Sequence, residues 1–85
     1  MDLKLFNLAM GQLYVEGGNK EANLTRAERM IAEAAREGCE MIILPECLDL
    51  GWTHPSAHQL ADSIPGRTSE RLCRSAEENH IFVIA

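Results

Sequence analysis

The sequence predicts an α/β fold with the element order βαβαβ. Three observations carry that expectation. Apolar and small residues recur at steps of three and four between Lys20 and Glu37. Met41-Ile42-Ile43-Leu44 and Ile81-Phe82-Val83-Ile84-Ala85 are unbroken apolar runs, and stretches containing glycine and proline separate these segments. The first pattern lines one side of a 3.6-residue helix, whereas short continuous apolar runs suit strands covered on both faces, as in parallel sheets. Strands that alternate with helices pair in parallel through right-handed crossovers.

The first strand is read from Leu3 to Met10, with Leu3 and Leu5 on one face and Phe6, Leu8 and Met10 on the other. Gly11 to Asn19 holds three glycines, a loop composition, and Asn19 or Gly18 is the expected cap of the following helix. That helix turns Leu24, Ala27, Met30, Ile31, Ala34 and Ala35 inward and Arg26, Glu28, Arg29, Glu33, Arg36 and Glu37 outward. Gly38 stands where a left-handed C-cap needs no Cβ. Pro45 closes the second strand, and Pro55 to Asp62 is expected to hold a short helical turn because proline suits a first helical position. The second long helix is expected from Thr68 or Ser69, one of them its cap, to Asn79, with Leu72, Cys73 and Ala76 inward. Ile81 to Ala85 is the third strand.

Composition narrows the function. The 85 residues are 46% hydrophobic, and 8 Lys+Arg against 13 Asp+Glu give a net charge of −5, so clustered cations for phosphate backbones or anionic membranes are absent. Nucleic acid and membrane are poor partners for such a chain. The amino terminus lacks a basic n-region and no run approaches the ~20 apolar residues of a membrane span. Cys39, Cys47 and Cys73 are odd in number and irregular in spacing, which suits free thiols in a reducing compartment. The expected location is cytoplasmic. The last strand is wholly apolar, and an uncovered edge of this kind pairs readily with other chains. The expectation is therefore the first part of a larger domain; the other reading is a non-enzymatic α/β binding or assembly module complete at 85 residues.

Glu46 is the main chemical candidate. It follows Met41-Ile42-Ile43-Leu44-Pro45, at the carboxyl end of a central parallel strand, where open α/β sheets place their ligand crevices. Its apolar flanks suggest partial desolvation, which raises a carboxyl pKa toward the range of a general base.

The run Ile43-Leu44-Pro45-Glu46-Cys47-Leu48-Asp49-Leu50-Gly51-Trp52 resembles the Leu-Pro-Glu, then Gly-aromatic, signature of the nitrilase or carbon-nitrogen hydrolase family. Ala9-Met10-Gly11-Gln12, Asn23 and Ala27, Ile64-Pro65-Gly66, and Ala76-Glu77-Glu78-Asn79-His80 before the last strand match in order, so the resemblance spans essentially the whole chain. It implies the amino-terminal portion of a four-layer α-β-β-α sandwich and a catalytic Glu, Lys and Cys, without a cofactor. The base activates the thiol, the thiolate attacks a small-molecule amide or nitrile carbon, and the lysine stabilises the developing charge. A thioester forms and is hydrolysed. Homo-oligomers are common in such a family. Only Glu46 carries over, as general base; Lys4 and Lys20 precede it and do not fit the lysine, and the isolated chain is expected to be inert.

The remaining candidates are weaker. Cys47 adjoins Glu46, but neighbours on a strand point to opposite sides, which makes it a poor nucleophile for that carboxylate. Trp52 stands where the family usually has a smaller aromatic and is a substrate-pocket candidate. Cys39, Cys47, His54 and His58 lack the closely paired spacing of a structural zinc site, so no metal is expected. Gly17-Gly18 before a helix could receive an anion, but G-x-G-x-x-G is absent.

Overall fold

The computed structural model describes residues 5–85. Three short parallel strands, β1 (Leu8–Met10), β2 (Met41–Ile43) and β3 (Phe82–Ile84), lie in the order β1-β2-β3. They are in register through Ala9, Ile42 and Val83. The connections carry α1 (Lys20–Arg36) and, between β2 and β3, α2 (Ala57–Leu60) and α3 (Arg67–Asn79). The βαβαβ expectation is met, and α2 is the short helical turn expected between Pro55 and Asp62. The first strand is shorter than expected: Leu5 to Asn7 lie outside it, and Leu3 and Lys4 fall outside the described residues. The three-residue β2 offers β1 no longer a partner.

Local chemistry explains the helix boundaries. Asn19 caps α1, its side chain accepting the Ala22 N–H at 3.2 Å, and Gly38 follows the helix with φ +85°. At α3 the expected cap is corrected. The helix starts at Arg67 with Gly66 as N-cap, and Ser69 acts from inside, accepting the Gly66 N–H at 2.9 Å and donating to the Gly66 carbonyl at 3.1 Å. A glycine cap has no side chain to offer, so the serine three residues on supplies the hydroxyl. The Thr68 hydroxyl donates to Asp62 at 2.6 Å instead. Pro55 likewise stands ahead of α2, whose N-cap is Ser56.

Two crossovers of one hand, stepping the same way across a sheet, put both helices on the same face. Here α1 and α3 lie side by side there, and Arg71 reaches from α3 to Glu28 at 2.6 Å and Glu21 at 2.7 Å on α1. The core between helices and sheet contains Leu24, Ala27, Ile31 and Ala34 of α1 with Ile42, Leu44, Leu48 and Ile81. On α3 the inward position belongs to Ser75; Leu72 and Ala76 are half-buried and Cys73 is exposed, which corrects its inward assignment. No helix among the described residues is long and apolar enough to cross a membrane.

The opposite face of the sheet is apolar and open. Leu8 and Met10 of β1 and Phe82 and Ile84 of β3 are 47%, 70%, 70% and 49% exposed. Coverage of the strands on both faces, as their unbroken apolar runs suggest, is therefore met on one face only. The described residues form two layers, helices on sheet, consistent with half of the four-layer arrangement.

Candidate active site

Glu46 stands just beyond the carboxyl end of β2, the middle strand. The sheet hydrogen bonds continue one residue past β2, where the Leu44 N–H donates to the Ile84 carbonyl at 2.9 Å. Pro45 has no N–H to extend the ladder, and the chain turns away. The turn through Glu46–Leu50 is closed by the Gly51 N–H donating to the Cys47 carbonyl at 2.9 Å. Leu48 and Leu50 are buried and anchor it from below. Cys47 takes a left-handed φ of 53° within the turn.

The Glu46 side chain is exposed, and among the described residues it makes no hydrogen bond or ion pair. The partial desolvation expected from its apolar flanks is not present, because Leu44, Leu48 and Leu50 point into the core and leave the carboxylate at the rim. Chemically it is an uncommitted proton acceptor whose position is set by its backbone.

That backbone is held by a buried residue of α1. Asn23 is 0% exposed, and its amide uses both of its ends. It donates to the Glu16 carbonyl at 2.8 Å and the Asp49 carbonyl at 2.7 Å, and its Oδ1 accepts the Glu16 N–H at 2.7 Å. The loop before α1 and the turn after β2 are thereby tied to one side chain. A second tie joins the two segments directly, the Gly18 N–H donating to the Leu50 carbonyl at 2.8 Å. The Gly18 amide, at the glycine pair considered for an anion, is thus engaged. Gly51, at φ +94°, lets the segments close: a Cβ there would lie 3.2 Å from Gly17 Cα. Sequence reading placed Asn23 only within a family pattern. The available signal was its place four residues before Ala27, on the inward stripe, where a polar group requires partners.

Cys47 and Trp52 sit differently from Glu46. Cys47 lines an open cleft of about 440 Å³ on the helix side of the sheet, with Pro45 and Leu48 on one wall and Ser63, Ile64 and Leu72 on the other. Neither Glu46 nor Trp52 is among the lining residues, so adjacency in sequence does not place Cys47 and Glu46 on one cleft. Trp52 is 70% exposed. The far wall is fixed by Asp62, which accepts from Lys20 Nζ at 3.0 Å and from Thr68, while Lys20 also donates to the Leu60 carbonyl. The Thr68 hydroxyl and the Lys20 ammonium hold the Asp62 carboxyl below its usual value. Lys20 is committed there.

His54 is a packing residue. Its ring lies against Gly17, where a Cβ would come within 2.5 Å of His54 Cδ2, and its Nδ1 accepts the Ser56 N–H at 3.2 Å. Among the described residues no group of three or more His, Cys, Asp or Glu is arranged to hold a metal. Cys39, Cys47 and Cys73 are free thiols.

Comparison with known proteins agrees with the signature around Glu46. The chain is 35% identical to the omega-amidase NIT2 of Mus musculus over 82 residues, which cover 96% of this chain and 29% of that protein. It is 37% identical to the omega-amidase NIT2 of Xenopus tropicalis over 79 residues, covering 93% of this chain and 28% of the relative. A nitrilase homolog 2 from Dictyostelium discoideum is 35% identical over 81 residues, covering 95% and 24%. The chain spans less than a third of the length of these relatives. The carbon-nitrogen hydrolase family profile matches residues 7–85, nearly the whole chain. With the Leu-Pro-Glu turn at the end of the central strand, this match establishes that the chain belongs to the carbon-nitrogen hydrolase family, as its amino-terminal portion.

Proposed function

We propose that the chain is the amino-terminal part of an amidase-type carbon-nitrogen hydrolase domain in which Glu46 is the general base. The carboxylate takes the proton of a cysteine thiol, and the thiolate attacks the carbonyl carbon of a small amide. A lysine stabilises the oxyanion, the proton held by Glu46 passes to the departing nitrogen so that ammonia leaves, and water hydrolyses the thioester to the carboxylic acid and the free thiol. The lysine and cysteine come from polypeptide beyond these 85 residues, so the chain alone is inert. The preferred substrates are carboxylic acids bearing a terminal amide, a class supported by the names of the omega-amidase relatives.

The carrying observation is the unpartnered carboxylate of Glu46 at the carboxyl end of the middle strand, within a family match that runs through it. The open apolar face of the sheet supports a second sheet packed on it, completing the four-layer sandwich. Free thiols support a reducing, cytoplasmic location, and the family resemblance supports a homo-oligomer. Ammonia release by the full gene product from monoamides of dicarboxylic acids tests the activity. Glu46→Gln should lower turnover by roughly 10²-fold or more. Turnover unchanged by that substitution removes the base assignment. Turnover by the 85-residue chain alone removes the external lysine and cysteine.

A further inference from the structure

We infer that Asn23 is a positioning residue for Glu46, fixing the turn that carries the carboxylate through its hydrogen bond to the Asp49 carbonyl. The inference rests on the reading of Glu46 as the base. Among the described residues the Glu46 side chain makes no hydrogen bond or ion pair that would orient it, so the placement of its Cα and Cβ depends on the Glu46–Leu50 turn. Of the ties on that turn, the bond from Asn23 is supplied by a side chain fully withdrawn from solvent.

The position argues against a purely packing role. Asn23 neighbours Leu24 on the buried side of α1 and lies one turn before Ala27, where an apolar side chain would suffice for the core. A buried amide is tolerated only when its donors and acceptor are met; here both donors go to the backbone of two loops, and the oxygen accepts the Glu16 N–H at 2.7 Å and, at 3.4 Å, Arg26 Nη1 of the same helix. The arrangement holds Glu16, Asn23 and Asp49, distant in sequence, in one fixed relation. Displacing a catalytic group by about 1 Å can cost on the order of 10²-fold in rate.

The test uses the full gene product and the same dicarboxylic monoamides. Asn23→Asp keeps the size and the acceptor oxygen but loses the amide donors to the Glu16 and Asp49 carbonyls. It should lower kcat roughly 10- to 100-fold with KM little changed, because a displaced base weakens the chemical step rather than ground-state binding. Combined with Glu46→Gln it should add little to the loss from Glu46→Gln alone, since both act through one carboxylate. Arg71→Ala, which removes two ion pairs between α1 and α3 away from the turn, should leave kcat unchanged. A kcat for Asn23→Asp equal to that of Arg71→Ala overturns the inference, as does an equal loss from Asn23→Asp with or without Glu46. If Glu46→Gln keeps full turnover, the base assignment falls, and this inference with it. Should Asn23→Asp fail to fold, Asn23→Ser serves: its one hydroxyl hydrogen cannot supply both carbonyls, and the same kcat and double-variant outcomes decide.

Discussion

Replacing Ile42 and, separately, Ile84 with alanine measures how unequally the two faces of the sheet are covered. Ile42 sits in the middle strand facing the helices and is 1% exposed, whereas Ile84, on the edge strand, is 49% exposed. Each substitution removes three carbons, worth about 0.8 kcal/mol each when fully buried, or roughly 2.4 kcal/mol in transfer. At Ile42 a cavity term adds to this, because Leu24, Ile31 and Leu44 can relax only in part, and the loss should reach about 3 kcal/mol. At Ile84 about half the transfer term applies and no cavity is left, which gives about 1 kcal/mol. Urea unfolding of the 85-residue chain followed by circular dichroism reads both. With a slope of about 1 kcal/mol per molar, the midpoints should fall by about 3 M and 1 M. Equal losses would refute the one-sided burial, since Ile84 would then be covered in solution as fully as Ile42.

Two further predictions concern the polar contacts. Arg71→Ala should lower stability by roughly 1 kcal/mol through loss of the pair with Glu28, the 80% exposed Glu21 contributing little, and the difference should shrink in high salt during thermal melts. Asp62→Asn should destabilise the chain above the ordinary carboxyl range and not below it. The folded carboxyl is held below its usual 3.8, so its contribution is present above that value and disappears as pH falls through the lowered one; melts compared from pH 7 downward should converge.

Much of the fold is legible because the informative signals are local. The apolar stripe of α1, Asn19 at its start and Gly38 after its end each act within a few residues, and the observed helix agrees with the reading to within one residue. The start of α3 was less legible because Thr68 and Ser69 both offer a capping hydroxyl, and only the geometry shows that Ser69 reaches back to Gly66 rather than capping forward. Strand lengths depend on the partner: Leu5 to Asn7 look like strand, but β2 ends the pairing. At the site, Glu46 was legible from its place after an apolar run and a proline. Its exposure was not, since that depends on where Leu48 and Leu50 turn. The Asn23 ties join residues 26 and 7 apart in sequence, a separation that no periodicity encodes.

The tie between Asn23 and the two loops also bears on when the site becomes ordered. Loops ordinarily belong to the least stable, locally opening parts of a protein. Here the turn after β2 shares its fastening with the first turns of α1, so it cannot open freely without disturbing the end of a 17-residue helix. The conformational entropy of that turn is therefore lost when the helix folds, not when a substrate arrives. Binding then has less disorder to remove, and more of the substrate's interaction energy remains for the reaction.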